Sequence, residues 1–281
     1  MSLKPAPADY GIRFQRTDLG GMEIPAHISH LGARPHLQTS LANGRATVDT
    51  VEHLLAALRS LGVDNACVEL DHSEVPIMDG SSAPWVYLIQ DAGVRELPAA
   101  RKSIQILRQV QVQQGDKRIA VYPSDRFKVS YTIRFDHPLL RHQQKTLDLD
   151  EQTFVDEIAP ARTFGFLKEV EMLRQRGLAL GGSLENAIVL GETGVLNNAL
   201  RFEDEFVRHK ILDAIGDLSL VGYPVIGHLV AHRAGHALHT AFAARILEEM
   251  DAWKVVEGDA LAGVTATLPA SAAAKAPQPV A

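Results

Sequence analysis

Phe206-Val207-Arg208-His209-Lys210-Ile211-Leu212-Asp213-Ala214-Ile215-Gly216-Asp217 is the stretch on which the fold turns. It contains no proline. Phe206, Val207, Ile211 and Ala214, with Leu218 and Val221 beyond, recur at helical spacing, so the stretch reads as a helix with a buried face. His209, Asp213 and Asp217 stand at i, i+4 and i+8, which on a helix makes one polar row beside the apolar arc. A His and an Asp four residues apart can hold a single cation. A solvated row with one ordinary His–Asp pair fits the same spacing, and the stretch alone leaves both readings open.

Asp49-Thr50-Val51-Glu52-His53-Leu54-Leu55-Ala56-Ala57-Leu58, far upstream, reads as a second helix start, with Asp49 or Thr50 as N-cap and Gly62 as the stop. Val51, Leu54, Leu55 and Leu58 form its core stripe, and Glu52 and His53 point away from it on the first turn. Asp49-x-x-Glu52 also fits a capping box, in which the glutamate only satisfies a backbone N–H. His53 fits a solvated helix position equally well.

A chain of 281 residues suffices for one large or two ordinary domains, and two are expected. The net charge of -6, from 28 basic and 34 acidic residues well mixed, leaves no basic face for nucleic acid. Cys67 is the only cysteine, which excludes a disulfide framework and a cysteine zinc ribbon and suits a reducing cytoplasm. The start lacks a basic-then-apolar leader, and nowhere do eighteen apolar residues run together. From about Gly258 to Ala281 the chain is Ala, Pro, Thr and Ser, the composition of a disordered tail.

Strands are expected over Gly11 to Thr17, Met22 to Pro25, Leu37 to Leu41 and Ala66 to Leu70, with a helix over Trp85 to Ala92. Residues 1–99 thus form a first α+β domain. After the charged linker Glu96 to Lys102 the pattern restarts in a second, 100–257. Strands are expected near Ile104 to Gln113, Lys117 to Tyr122 and Lys128 to Phe135. A helix follows near Thr153 to Ile158, then apolar segments around Gly181-Gly182, then the long helix and a final helix over Leu238 to Trp253.

His53, His209 and Asp213 together make a His₂Asp set with a fourth position free, the donor set of a metal that acidifies water and polarises a carbonyl. Glu52, beside His53, is placed to take a proton from that water, and His236, after Gly235 and before a helix, to protonate a leaving amine. The remaining histidines, His239 among them, are expected at the surface or in turns.

Six blocks run in the same order as the signatures of one known family. They are Thr50 to Leu58, Glu74 to Ser81, Arg162-Thr163-Phe164-Gly165-Phe166, Leu178 to Ser183, Arg201 to Asp213, and Gly235-His236-Ala237-Leu238. From about Leu3 to Val256 the chain resembles the UDP-3-O-acyl-N-acetylglucosamine deacetylases, zinc enzymes that commit bacteria to lipid A synthesis.

The resemblance implies two α+β domains of similar plan, each a mixed sheet on helices with a small β-α-β insert, and an active site between them. It implies one zinc per chain on His53, His209 and Asp213, with Glu52 as general base and His236 as general acid. By the same matching, Asp217 orients His236, Thr163 stabilises the oxyanion and Lys210 contacts substrate or its diphosphate. Phe135 is similar to the aromatic that stacks on uracil, and Phe164, Phe166, Leu180, Ile188 and Val189 match the passage for the acyl chain. The implied partner is a nucleotide-linked acylated amino sugar, handled by a cytoplasmic monomer without a transmembrane segment.

Some positions depart from the family. Arg233 stands where many members have lysine, Arg134 precedes Phe135 where an acidic residue is common, and His239-Thr240 stands where Asn is usual. Members usually begin with a further strand and a Gly-Val-Gly-Leu-His-Ser-Gly-like turn, whereas this chain opens at Leu3-Lys4-Pro5-Ala6-Pro7. A bare strand edge along Gly11 to Thr17 or its neighbour is therefore expected. The alternative function is a truncated homologue, weakened or inactive, that only binds the acylated nucleotide sugar.

Overall fold

The computed structural model describes residues 1–33, 38–168, 186–197 and 199–258. Leu180 with its glycine pair, and the tail beyond Gly258, lie outside the described residues. The chain is a mixed α+β structure in which several sheets pack against helices.

In chain order the first part contains β1 (Ser2–Pro5), β2 (Ile12–Arg16), β3 (Met22–Pro25), β4 (Leu41–Asn43), β5 (Ala46–Val48), α1 (Glu52–Ser60), β6 (Ala66–Leu70) and α2 (Ala83–Ala92). The first sheet has the order β1-β6-β2-β3, with β2 and β6 parallel and the outer pairs antiparallel. Phe14 lies in register with Val68 on one side and Ile24 on the other. All three are fully buried, the period-2 pattern of a sheet with one face on the core. Because β2 is paired along both sides, no bare edge runs along Gly11 to Thr17; the edges of this sheet are β1 and β3. β4 and β5 form an antiparallel hairpin turned at Gly44 (φ 59°), so the small insert of the first part has no helix between its strands.

The second part contains β7 (Lys102–Ile106), β8 (Val110–Gln114), β9 (Lys117–Tyr122), β10 (Phe127–Ile133), β11 (Gln143–Asp148), β12 (Phe164–Phe166), β13 (Ile188–Leu190), α3 (Glu205–Leu218), β14 (Val225–His232), α4 (His236–Glu248) and β15 (Trp253–Glu257). A short helical turn at Glu151–Thr153 runs on as a π-helical turn over Phe154–Ile158. The large sheet runs β11-β10-β14-β7-β15, with the β8–β9 hairpin joined through β9 to β14. The apolar run expected as one strand over Ile104 to Gln113 divides at Leu107-Arg108-Gln109, where Arg108 turns out to Glu249 and Asp251. The helix expected to end at Trp253 stops at Glu248, and Trp253–Glu257 instead forms β15 along the outer side of β7. β12 and β13 make a separate parallel pair.

Helix α3 is buried at every residue except Arg208 and Lys210, packed by α1 on one side and by α4 and the large sheet on the others. Gly216 makes the α1 contact possible. A Cβ there would lie 2.0 Å from the Glu52 carbonyl oxygen and 2.9 Å from Glu52 Cα. The first turn of α1 therefore rests directly on α3, and His53 meets His209.

Candidate metal centre

The chain enters α1 through Thr50 at φ 60°, a left-handed conformation that a β-branched residue rarely adopts. Its hydroxyl donates to Glu74 Oε1 at 3.0 Å. Such a backbone costs about 1–3 kcal/mol and persists where the surroundings over-determine it. The turn delivers Glu52 and His53 into the protein, both buried. No capping box forms. Asp49 accepts instead from the Ser40 hydroxyl at 2.5 Å, and Glu52 Oε2 accepts from the backbone N–H of Thr39 at 3.1 Å.

The row on α3 faces this turn, and all three of its members are buried rather than solvated. Asp213 Oδ1 lies 3.2 Å from His209 Nε2 and 3.6 Å from His53 Nε2, and the two imidazoles meet edge to face at 5.0 Å. One ligand atom from each of His53, His209 and Asp213 falls within 4.8 Å of the others. His209 Nδ1 lies 3.0 Å from the Ala161 carbonyl, which can only accept, so the proton sits on Nδ1 and Nε2 keeps its lone pair for the centre. Asp213 Oδ1 and His53 Nδ1 are buried without a hydrogen-bond partner. Two imidazoles, a carboxylate and an orphaned buried oxygen between them are what a zinc site requires.

The Ala161 carbonyl is itself fixed by its neighbour. The Arg162 guanidinium and backbone N–H both bind Glu205, which is fully buried and also accepts from the N–H of Arg201. Burial alone would raise the Glu205 pKa; these donors outweigh it and hold it below the ordinary glutamate value. Thr163 follows directly, its N–H bonded to the Gly80 carbonyl at 2.8 Å.

On the other side His236, at the first turn of α4, donates Nδ1–H to Asp217 Oδ2 at 2.8 Å and turns Nε2 toward Asp213 Oδ2 (3.7 Å) and Glu52 Oε1 (3.9 Å). Burial alone would lower its pKa; the carboxylates of Asp217, Asp213 and Glu52 outweigh it and push it up to about 9. Glu52 moves upward because burial dominates over the pull of His236 and His53. Asp217 falls to about 2, since the two imidazoles it binds overcome its burial. The environment thus separates a carboxylate inclined to take a proton from an imidazolium inclined to give one. Lys210 Nζ lies 2.7 Å from Asp213 Oδ2 and over the Phe164 ring at 5.7 Å.

His239, expected at the surface, is buried here. Its Nδ1 lies 2.9 Å from Asp217 Oδ2 and its Nε2 2.8 Å from the Tyr131 hydroxyl. Burial pushes this imidazole's pKa down, and the Asp217 carboxylate can only accept, so Nδ1 carries a proton, while the Tyr131 hydroxyl, which donates to the Ala234 carbonyl at 2.9 Å, also meets Nε2. The spacing of His236 and His239, i and i+3 on one helix, is the signal that could have placed them on a common face. Phe164 packs on Phe206 at 5.0 Å and near His209 at 6.3 Å, and Phe135 packs on both Phe164 and Phe166. Ile188 and Val189 are buried in β13. Phe135, Phe164, Phe166 and Phe206 therefore form one aromatic cluster beside His209.

The family model described as LpxC, UDP-3-O-acyl N-acetylglycosamine deacetylase, matches residues 1–248. The chain belongs to this family. It is also 54% identical over 260 residues to the UDP-3-O-acyl-N-acetylglucosamine deacetylase of Pseudomonas entomophila (strain L48), covering 91% of this chain and 86% of the relative. The LpxC deacetylases are zinc-dependent, and His53, His209 and Asp213 are compatible with that metal. Among the described residues, no helix is long and apolar enough to cross a membrane.

Proposed function

We propose that this chain hydrolyses the N-acetyl group of UDP-3-O-acyl-N-acetylglucosamine, releasing acetate and the free amine, in lipid A biosynthesis. The observation that carries the proposal is the buried His53–His209–Asp213 cluster with its orphaned carboxylate oxygen, flanked by Glu52 and His236, in a member of the deacetylase family. His53, His209 and Asp213 would hold one zinc per chain. When bound it supplies a Lewis acid that polarises the amide carbonyl and acidifies water. Glu52, its pKa raised by burial, takes the proton from the attacking water through Oε1, while Oε2 stays on Thr39. His236, cationic at neutral pH, gives a proton from Nε2 to the departing sugar nitrogen, and Asp217 keeps it oriented and charged. Thr163 stabilises the negative charge on the tetrahedral carbon's oxygen, and Lys210 contacts the substrate or its diphosphate.

In the aromatic cluster, Phe164 and Phe166, with Ile188 and Val189, line the route of the acyl chain, and Phe135 stacks on uracil. Residues 1–99 and 100–257 form two domains with the site between them, α1 belonging to one and α3 and α4 to the other. The chain acts as a monomer, and its lone cysteine suits the cytoplasm. The test is acetate release from UDP-3-O-acyl-N-acetylglucosamine. Turnover is expected to vanish with a chelator and return with zinc. A chain that releases no acetate under any metal, or releases it equally with chelator present, refutes the proposal and favours the binding-only alternative.

A further inference from the structure

Thr39 carries no role in the reading above, yet it touches both halves of the proton-transfer machinery. Its N–H donates to Glu52 Oε2 at 3.1 Å, and its hydroxyl donates to Asp217 Oδ1, from a position 178 residues away in the chain. The same hydroxyl lies 3.4 Å from His236 Nδ1. The residue is fully buried. Its carbonyl accepts from Val51 N–H at the head of α1, the next carbonyl, of Ser40, accepts from Gly32 N–H at 2.7 Å, and the Ser40 hydroxyl is tied to Asp49.

We propose that Thr39 is a positioning residue of the deacetylation, a clamp whose N–H fixes the base Glu52 and whose hydroxyl fixes Asp217 behind the acid His236. The inference rests on the function proposed above. Each catalytic carboxylate has two oxygens, and which one faces the reacting atoms must be settled. With Oε2 held by the Thr39 N–H, Glu52 presents Oε1 to the centre, the atom that lies 3.9 Å from His236 Nε2. Asp217 Oδ2 already takes hydrogen bonds from His236 and His239. The Thr39 hydroxyl binds the opposite oxygen and prevents the carboxylate from rotating about its Cβ–Cγ bond. Base and acid are thereby referred to one rigid residue, so the distance between them does not depend on α1 and α4 separately. Thr39 contacts no reacting atom in this scheme; it acts through Glu52 and Asp217.

Three variants test this: Thr39→Val, which keeps the N–H and nearly the shape but lacks the hydroxyl, Thr39→Ala as a second hydroxyl-free form, and Thr39→Ser, which restores the hydroxyl. Each is assayed for acetate release, zinc content and thermal melting, beside the wild type. Because an error of about 1 Å in catalytic geometry can cost ~100-fold, kcat of the valine and alanine forms is expected to fall by roughly 10- to 100-fold. KM should stay within about twofold and zinc content should be unchanged, and serine should recover most of kcat. A folded hydroxyl-free variant with wild-type kcat overturns the proposal. So does a serine variant as slow as valine, and so does failure of both hydroxyl-free variants to fold, which makes the role structural. A wild type that releases no acetate overturns instead the function on which the inference stands.

Discussion

Replacing Gly216 by alanine sets two magnitudes of opposite sign against each other. Gly216 lies inside α3 with ordinary helical geometry, where alanine is favoured over glycine by about 1 kcal/mol. Its added methyl, however, would lie 2.0 Å from the Glu52 oxygen, 2.7 Å from Glu52 C and 2.9 Å from Glu52 Cα, whereas ordinary contact begins at 3.4 Å. All three are backbone atoms of the first turn of α1, so no side chain can swing aside. The helices must separate by roughly 1.4 Å at this point, and overpacking of this kind costs about 1–3 kcal/mol. The net loss of stability is modest, about 1 kcal/mol, or roughly 2–4 °C in Tm. The loss at the site is larger. α1 carries Glu52 and His53, α3 carries His209 and Asp213, and a displacement of about 1 Å costs on the order of 100-fold in rate. Acetate release by Gly216→Ala should therefore fall by about that factor, and zinc should be lost to a competing chelator at lower chelator concentration than from wild type. Wild-type turnover and zinc retention in a folded Gly216→Ala protein would show that the approach of the two helices does not set the geometry of the centre.

Glu205→Gln should destabilise by about 3–5 kcal/mol near neutral pH, because Arg162 is left buried without its anion. The Glu205 pKa is depressed on folding, so its contribution is complete above the ordinary value of 4.5 and is lost as pH falls through the folded value. The gap in stability between wild type and variant, measured by denaturant at several pH values, should therefore narrow below pH 4.5, and a gap independent of pH would contradict the ion-pair account. Tyr131→Phe removes the hydroxyl that meets both the Ala234 carbonyl and His239 Nε2 in a buried setting, which should cost about 1–3 kcal/mol. Since His236 and Thr39 still hold Asp217, kcat should fall less than in Thr39→Val; an equal or larger fall would shift the weight of positioning from Thr39 to the Tyr131–His239 side.

Helix α3 was legible because a 14-residue amphipathic stretch carries its own periodicity, and α1 because its apolar stripe and stop signals are local. Donor types suggested the His53–His209–Asp213 association and likeness to a family made it specific, since nothing in the periodicity of either helix says which other helix it meets. Where local patterns compete, the sequence misleads. Asp49-x-x-Glu52 has the spacing of a capping box, yet Glu52 reaches across to Thr39, because a buried carboxylate finds a better donor there than at its own helix terminus. The helix expected to run on to Trp253 ends at Glu248, and the open side of β7 draws Trp253–Glu257 into a strand. Thr39 had no signal at all, since a threonine between Gln38 and Ser40 looks like part of any short polar stretch.

The burial of α3's polar row carries an electrostatic consequence that decides where a cation belongs. Two groups in the described residues bring three candidate ligands together, His53 with His209 and Asp213, and Asp217 with His236 and His239. A buried carboxylate costs several kcal/mol unless its charge is paired and its oxygens are hydrogen-bonded. Asp217 meets that condition within the protein, because Oδ1 accepts from Thr39 and Oδ2 from both imidazoles. Both of its histidines turn Nδ1–H toward it, His236 Nε2 is protonated at neutral pH and His239 Nε2 is engaged with the Tyr131 hydroxyl, so neither ring turns a lone pair toward Asp217. Asp213 does not meet the condition. Lys210 satisfies Oδ2, but Oδ1 faces two histidine Nε2 atoms, one of which has already given its proton to the Ala161 carbonyl through the other nitrogen. Protein donors leave Asp213 Oδ1 unanswered and answer Asp217 fully. Asp213 therefore gains from a nearby cation where Asp217 does not, which distinguishes two carboxylates one turn apart on the same helix.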